Sequence, residues 1–153
     1  MAMPVSVSKP IVGVDVAKNE LVIYHAEVDL LETIPNTKAA IKKWLKALSC
    51  KVAIAIEATN IYHLEFADLA HEAGCVVYMV GGYELKHYRE SVKIRAKTDA
   101  LDAKLLVRYL RKDADELRPW TPPSPLYRHL LSLFRRRAAL VQARVSLTQS
   151  WAN

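Results

Sequence analysis

IVGVDVAKNELVIYHA, residues 11–26, decides the fold. Its first six residues are β-branched and apolar except for Gly13 and Asp15, and after Ala17, Lys18 and Asn19 a second extended run carries Leu21, Val22 and Ile23. Two short extended runs with a polar break between them predict a hairpin. Alternation puts Val12, Val14 and Val16 on one face and Ile11, Gly13 and Asp15 on the other. A carboxylate thus stands beside a residue with no side chain, in a strand where unpaired charge is costly to bury. A third strand fits residues 28–34 and stops at Pro35, and Asn36 and Thr37 offer helix caps before Ile41, Trp44, Leu45 and Leu48 recur at helical spacing. Residues 52–57 repeat the first pattern, with Ile54 and Ile56 on one face and Ala53, Ala55 and Glu57 on the other. A second helix follows over 61–73, with Leu64, Ala67 and Leu69 inward and Gly74 as its stop, then an apolar strand over 75–80. An antiparallel ribbon fused to a parallel βαβ unit gives a mixed α/β sheet covered by helices.

Beyond Gly81 and Gly82, residues 83–97 are basic and aromatic with weak periodicity, which leaves loop and irregular helix both open. A helix over residues 98–112 has Leu101, Leu105, Leu106 and Tyr109 as its expected buried positions. Pro119, Pro122, Pro123 and Pro125 make the strongest break in the chain. After it, Leu126, Leu133, Leu140 and Leu147 recur every seven residues, a coiled-coil-like seam interrupted by Arg137 and Arg144. The expected organisation is an α/β domain over 1–117, a proline-rich linker over 118–125 and a coiled-coil-like helix over 126–153. Asn153 closes the sequence without a capping signal, so the helix is expected to continue in a longer parent protein.

With 153 residues, 52% apolar and 25% charged, the chain suits one well-buried core plus an appendage. No stretch approaches the roughly 18 apolar residues of a membrane span, and MAMPVSVSKP lacks the form of a secretory leader, so a cytoplasmic location without a membrane partner is expected. Cys50 and Cys75 stand far apart without a CxxC pattern, which argues against a zinc site or disulfide framework and predicts two buried thiols. The five histidines show no HExxH-like spacing, against a zinc hydrolase. The net charge of +6 is uneven: residues 1–85 hold 7 Lys/Arg against 10 Asp/Glu, and residues 86–153 hold 15 against 6, or −3 followed by +9. The basic half is the candidate contact for a polyanion. Its candidate residues are Arg95, Lys97, Arg135 and Arg136, with Lys18 from the hairpin turn as an outlying addition.

Four acids carry the candidate chemistry. Asp15 and Glu57 each sit at a strand end beside small neighbours, while Asp99 and Asp102, three apart at a helix start, share one face roughly 5 to 6 Å apart at Cβ. Each has a plainer use: a strand-end acid pairs with a surface cation, Asp99 makes an N-cap, and Asp102 in the first turn complements the positive helix end. Together they form an all-oxygen donor set suited to Mg²⁺ or Mn²⁺ and to phosphoryl transfer. Tyr62 and His63 follow Glu57 closely, within reach of lining the site, and packing at the helix start is the simpler reading of both.

The runs VGVDVAKNELVIY, AIEATNIYH and KTDALDAKLL, taken in order and spacing, resemble the N-terminal domain of DEDD-type insertion-sequence transposases, the group related to the Piv invertase and the bridge-RNA-guided recombinases. The resemblance covers essentially the whole chain. It implies a RuvC-like, RNase H-like fold with Asp15, Glu57, Asp99 and Asp102 in the places of four metal-binding acids. It further implies DNA as substrate, a structured guide RNA as partner, and a homo-oligomer, dimer or tetramer, which the heptad leucines would support. A serine-bearing second domain completes the family's active site and has no counterpart in these residues, so full recombination is not expected of this chain alone. Asn60 stands where relatives often carry glycine, and asparagine tolerates the left-handed turn such a glycine adopts.

Three other readings use the same residues. A stand-alone RuvC-like nuclease or junction resolvase would need no serine domain. An ATPase of the actin and sugar-kinase kind is loosely suggested by IVGVDVAKNEL, but no second glycine-rich phosphate loop follows. In a nucleic-acid-binding module without catalysis, the acids would be only caps and rim residues.

Overall fold

The computed structural model describes residues 9–58, 61–92 and 98–152. Among the described residues, five strands and five helices follow the order β1 (Ile11–Val16), β2 (Glu20–His25), β3 (Leu30–Pro35), α1 (Lys38–Ala47), β4 (Ala53–Glu57), α2 (Leu64–Glu72), β5 (Val76–Val80), α3 (Gly82–Ser91), α4 (Asp99–Asp113) and α5 (Pro125–Ala152). They form a single mixed sheet ordered β3-β2-β1-β4-β5. The ribbon is antiparallel, with Val14 opposite Ile23 and Val22 opposite Thr33, while β1, β4 and β5 run parallel, with Val14 opposite Ile56 and Ile56 opposite Met79. The segment left open between loop and helix contains α3, a regular ten-residue helix.

Alternation along the central strands divides the interior in two. Val12, Val14, Ile54 and Ile56 join Ile41, Trp44 and Phe66 in a core beneath α1 and α2. Ile11, Ala53 and Ala55 join Leu85, Tyr88, Leu105, Leu106 and Leu110 in a second core beneath α3 and α4. Asp15 and Glu57 project on the second side, because they are in phase with Gly13 and Ala55.

Local signals set the helix ends. Thr37 caps α1 by accepting from Ala40 N at 3.3 Å. Helix α2 begins three residues later than its sequence pattern suggested, leaving Ile61 exposed, and ends at Gly74 with φ of 86°. There Cys75 N donates to Ala70 O and Gly74 N to His71 O, both at 3.0 Å, the paired bonds of a left-handed helix stop. Cys75 is buried as expected, but Cys50 is exposed because it falls in the loop between α1 and β4 rather than on either element.

The chain divides into two compact units, residues 1–121 and 122–153. Within the first, Trp120 packs against the α1–α2 core and its N–H donates to Val77 O at 2.7 Å. The second is α5, a 28-residue helix whose Leu126, Leu133, Leu140 and Leu147 are all exposed. No described helix is long and apolar enough to cross a membrane.

Candidate metal centre

The acids meet because α4 lies directly on β1. A Cβ on Gly13 would come within 2.0 Å of the carbonyl oxygen of Ala103 and 3.0 Å of the Val107 side chain, so glycine is what lets the helix backbone approach the strand. The buried face of α4 accordingly runs through Asp102, Ala103, Leu105, Leu106, Val107 and Leu110. Leu101 and Tyr109, expected inside, are only half-buried, because the helix turns Ala103 toward Gly13.

Thr98, not Asp99, is the N-cap of α4, accepting from Leu101 N at 3.2 Å. The capping use of Asp99 is thus taken by its neighbour, and the Asp99 carboxylate is left to another contact. One oxygen each from Asp15, Asp99 and Asp102 lie within 4.8 Å of one another. Burial first, then the charges of Asp99 and Asp102, push the Asp15 carboxyl up to about 7, with a hydrogen bond to Asp99 and the charge of Glu57 adding to the rise. Three acids this close repel one another, and a shared proton or a cation relieves them.

Glu57 stands outside this triangle. It follows Ile56, the partner of Val14, so it ends β4 in step with Asp15 on β1, where its charge reaches Asp15. On its other side it pairs in register with Val80.

Asp102 is 3% exposed and carries an ion pair that the sequence pattern did not reveal: Arg89 Nη2, from α3, donates to its Oδ1. No local spacing links the two residues, which meet only once α3 packs on α4. Asn36, read as a possible cap, instead donates from Nδ2 to Ala17 O at 2.9 Å and to Tyr62 O at 3.1 Å, tying the β1–β2 turn to the segment after β4. Tyr62 is exposed and His63 is buried at the start of α2.

Of the candidate nucleic-acid contacts, Lys18 is exposed in the β1–β2 turn, and Arg135 and Arg136 are exposed on α5. Arg95 and Lys97 lie outside the described residues, as does Asn60.

The donor set fits a small hard cation. All three donors are carboxylate oxygens within 4.8 Å of one another, and Asp15, Asp99 and Asp102 would offer Mg²⁺ or Mn²⁺ the all-oxygen surroundings such ions take.

Comparison with known proteins bears on the family and the fold. The sequence model of the IS110-type DEDD family, described as "Transposase", matches residues 12–152. The pilin gene-inverting proteins of Moraxella lacunata and Moraxella bovis are 31% and 30% identical over 138 residues, covering 85% of this chain and 42% of theirs. The chain therefore spans less than half the length of these curated relatives. Among solved structures, T. thermophilus RuvC in complex with a Holliday junction substrate aligns with a TM-score of 0.51 at 14% identity, covering 73% of this chain and 99% of that one. A second Thermus thermophilus RuvC structure aligns with a TM-score of 0.50 at 13% identity, covering 72% and 99%. At such identity the likeness speaks for the fold, which is RuvC-like and of the RNase H type. The family match extends over nearly all of the sequence, and the chain belongs to the IS110-type DEDD transposase family.

Proposed function

We propose that this chain is the metal-binding catalytic domain of a DNA transposase or site-specific recombinase, and that Asp15, Asp99 and Asp102 hold Mg²⁺ or Mn²⁺ with Glu57 as the fourth acid. The observation that carries the reading is the convergence of three carboxylates, one from β1 and two from the first turn of α4, within 4.8 Å. When bound, such an ion activates a nucleophile and stabilises the leaving oxygen of a phosphodiester. The protein's own part is to supply oxygen donors at fixed positions on a strand and a helix. Asp15 gives up its proton to become a ligand, and Glu57 adds negative charge beside it.

DNA is the substrate in this reading, and the basic second half of the sequence, with exposed Lys18, Arg135 and Arg136, supplies cations for its phosphates. A structured guide RNA belongs to the same proposal through family membership, with Arg95 and Lys97 as further candidate contacts. The two units correspond in this scheme to a catalytic domain and a connector helix, and the exposed apolar column of α5 supports association between copies. A serine-bearing domain supplied by a longer chain or another subunit completes the site, and the location is cytoplasmic.

The test is a Mn²⁺ titration of wild type and Asp15→Asn, followed by electron paramagnetic resonance and calorimetry. Saturable binding that Asp15→Asn abolishes supports the site. Binding that the substitution leaves unchanged removes it. The stand-alone nuclease reading has only the fold in its favour and gains support if this chain by itself cleaves branched DNA.

A further inference from the structure

We propose that Arg89 is a positioning residue for the metal centre: its guanidinium, held against Asp102 Oδ1, fixes the orientation of that carboxylate toward a divalent cation. The inference rests on the metal-site reading above.

Three observations lead to it. Arg89 is anchored by a rigid support, because its neighbour Tyr88 is buried in the second core, stacks edge-on against Tyr109 of α4 with ring centroids 5.4 Å apart, and lies beneath Lys112 Nζ at 5.3 Å. The pair is shielded, since the Arg89 and Asp102 side chains are 16% and 4% exposed. Arg89 also gives up solvent to be there: its Nε is buried without a hydrogen-bond partner among the described residues. A guanidinium that buries an unpaired N–H to reach one carboxylate oxygen is committed to that contact.

The consequence is geometric. A carboxylate on a helix turns freely about its last torsion unless something holds it. With Oδ1 accepting from Arg89, Oδ2 and the second lone pair of Oδ1 remain, and the guanidinium restrains the plane of the group before any cation arrives. Partners that hold a metal-ligating carboxylate in this way typically contribute about 10- to 100-fold in metal affinity. The opposite expectation follows if Arg89 were a mere counter-ion to the acid cluster: the cation would then compete with metal, and its loss would tighten binding.

The experiment measures Mn²⁺ affinity by calorimetry and the Mn²⁺ resonance line shape for wild type, Arg89→Gln, Arg89→Lys and Asp15→Asn, with circular dichroism to establish that each is folded at the working temperature. Arg89→Gln is expected to weaken binding about 10- to 100-fold and to alter the line shape. Arg89→Lys keeps the charge but not the planar fork and should fall between wild type and Gln. Unchanged or tighter binding in folded Arg89→Gln overturns the proposal. Should Arg89→Gln not fold, wild-type affinity in Arg89→Lys overturns it instead. When wild type binds and Asp15→Asn does not, the metal-site reading stands whatever Arg89 does; failure of wild type to bind overturns both.

Discussion

Gly13 in β1 and Ala103 in α4 stand so close that the carbonyl oxygen of Ala103 occupies the space a Cβ on residue 13 would need, 2.0 Å away. The acid triangle depends on that approach, because Asp15 is two residues along β1 from Gly13 and Asp102 immediately precedes Ala103.

Gly13→Ala is therefore expected to push α4 off the sheet, with a loss of about 1 to 3 kcal/mol from overpacking against backbone. The substitution should also separate Asp15 from Asp99 and Asp102. Urea denaturation and Mn²⁺ titration check the two effects independently. Wild-type stability in Gly13→Ala would contradict the tight strand–helix contact.

Asp15 makes stability depend on pH. Its carboxyl is raised from 3.8 to about 7, so between those values the folded state holds a proton that the unfolded chain releases. The contribution is fully present below about pH 3.8 and is lost as pH rises through about 7. In metal-free protein, Tm is expected to decline over this window more steeply in wild type than in Asp15→Asn. Parallel Tm profiles for the two proteins would place the effect elsewhere.

The two α4 acids should differ in their structural weight. Asp102→Ala leaves Arg89 buried and unpaired, with an expected loss of about 3 to 5 kcal/mol. Asp99 is exposed, and Thr98 already caps the helix, so Asp99→Ala is expected to leave Tm nearly unchanged while weakening Mn²⁺ binding. Thermal melts paired with metal titration separate these roles. Equal destabilisation by the two substitutions would argue against the Arg89 pair.

The apolar column of α5 yields a prediction about assembly. If it is a contact between copies, Leu133→Asp combined with Leu140→Asp shifts sedimentation toward the monomer without altering the melt of the α/β unit. A wild type that remains monomeric at high micromolar concentration would dismiss that contact.

Much of the fold was legible because its strands alternate and its turns carry specific residues. The in-phase pairs Val12–Val14 and Ile54–Ile56 assigned both strands to one face and thereby located Asp15 and Glu57 on the other. Gly74 marked a helix end through a conformation that only glycine adopts readily. Helix α3 was illegible because its periodicity is weak and its buried Leu85 and Tyr88 are few among charges. The Asp15, Asp99 and Asp102 cluster was anticipated from residue type and family resemblance. Arg89 was not, since an arginine on a charged, weakly periodic helix looks like any solvated cation until the facing helix shows its carboxylate. The inward face of α4 was only partly legible: Leu105 and Leu106 were expected inside, but the close approach of Ala103 to Gly13 turns Leu101 and Tyr109 to half-buried positions.

The docking of α4 on β1 has a further meaning for timing. β1 opens the described α/β unit and α4 is its last helix, so the acid triangle joins segments from its two ends. No intermediate lacking the docked final helix can gather these three carboxylates, however complete its sheet. A nascent chain on the ribosome would thus carry the acids without the cluster, and ion binding at the proposed centre would be a signature of finished folding. In the proposed reading, a centre that would act on DNA strands is assembled only when the last helix closes.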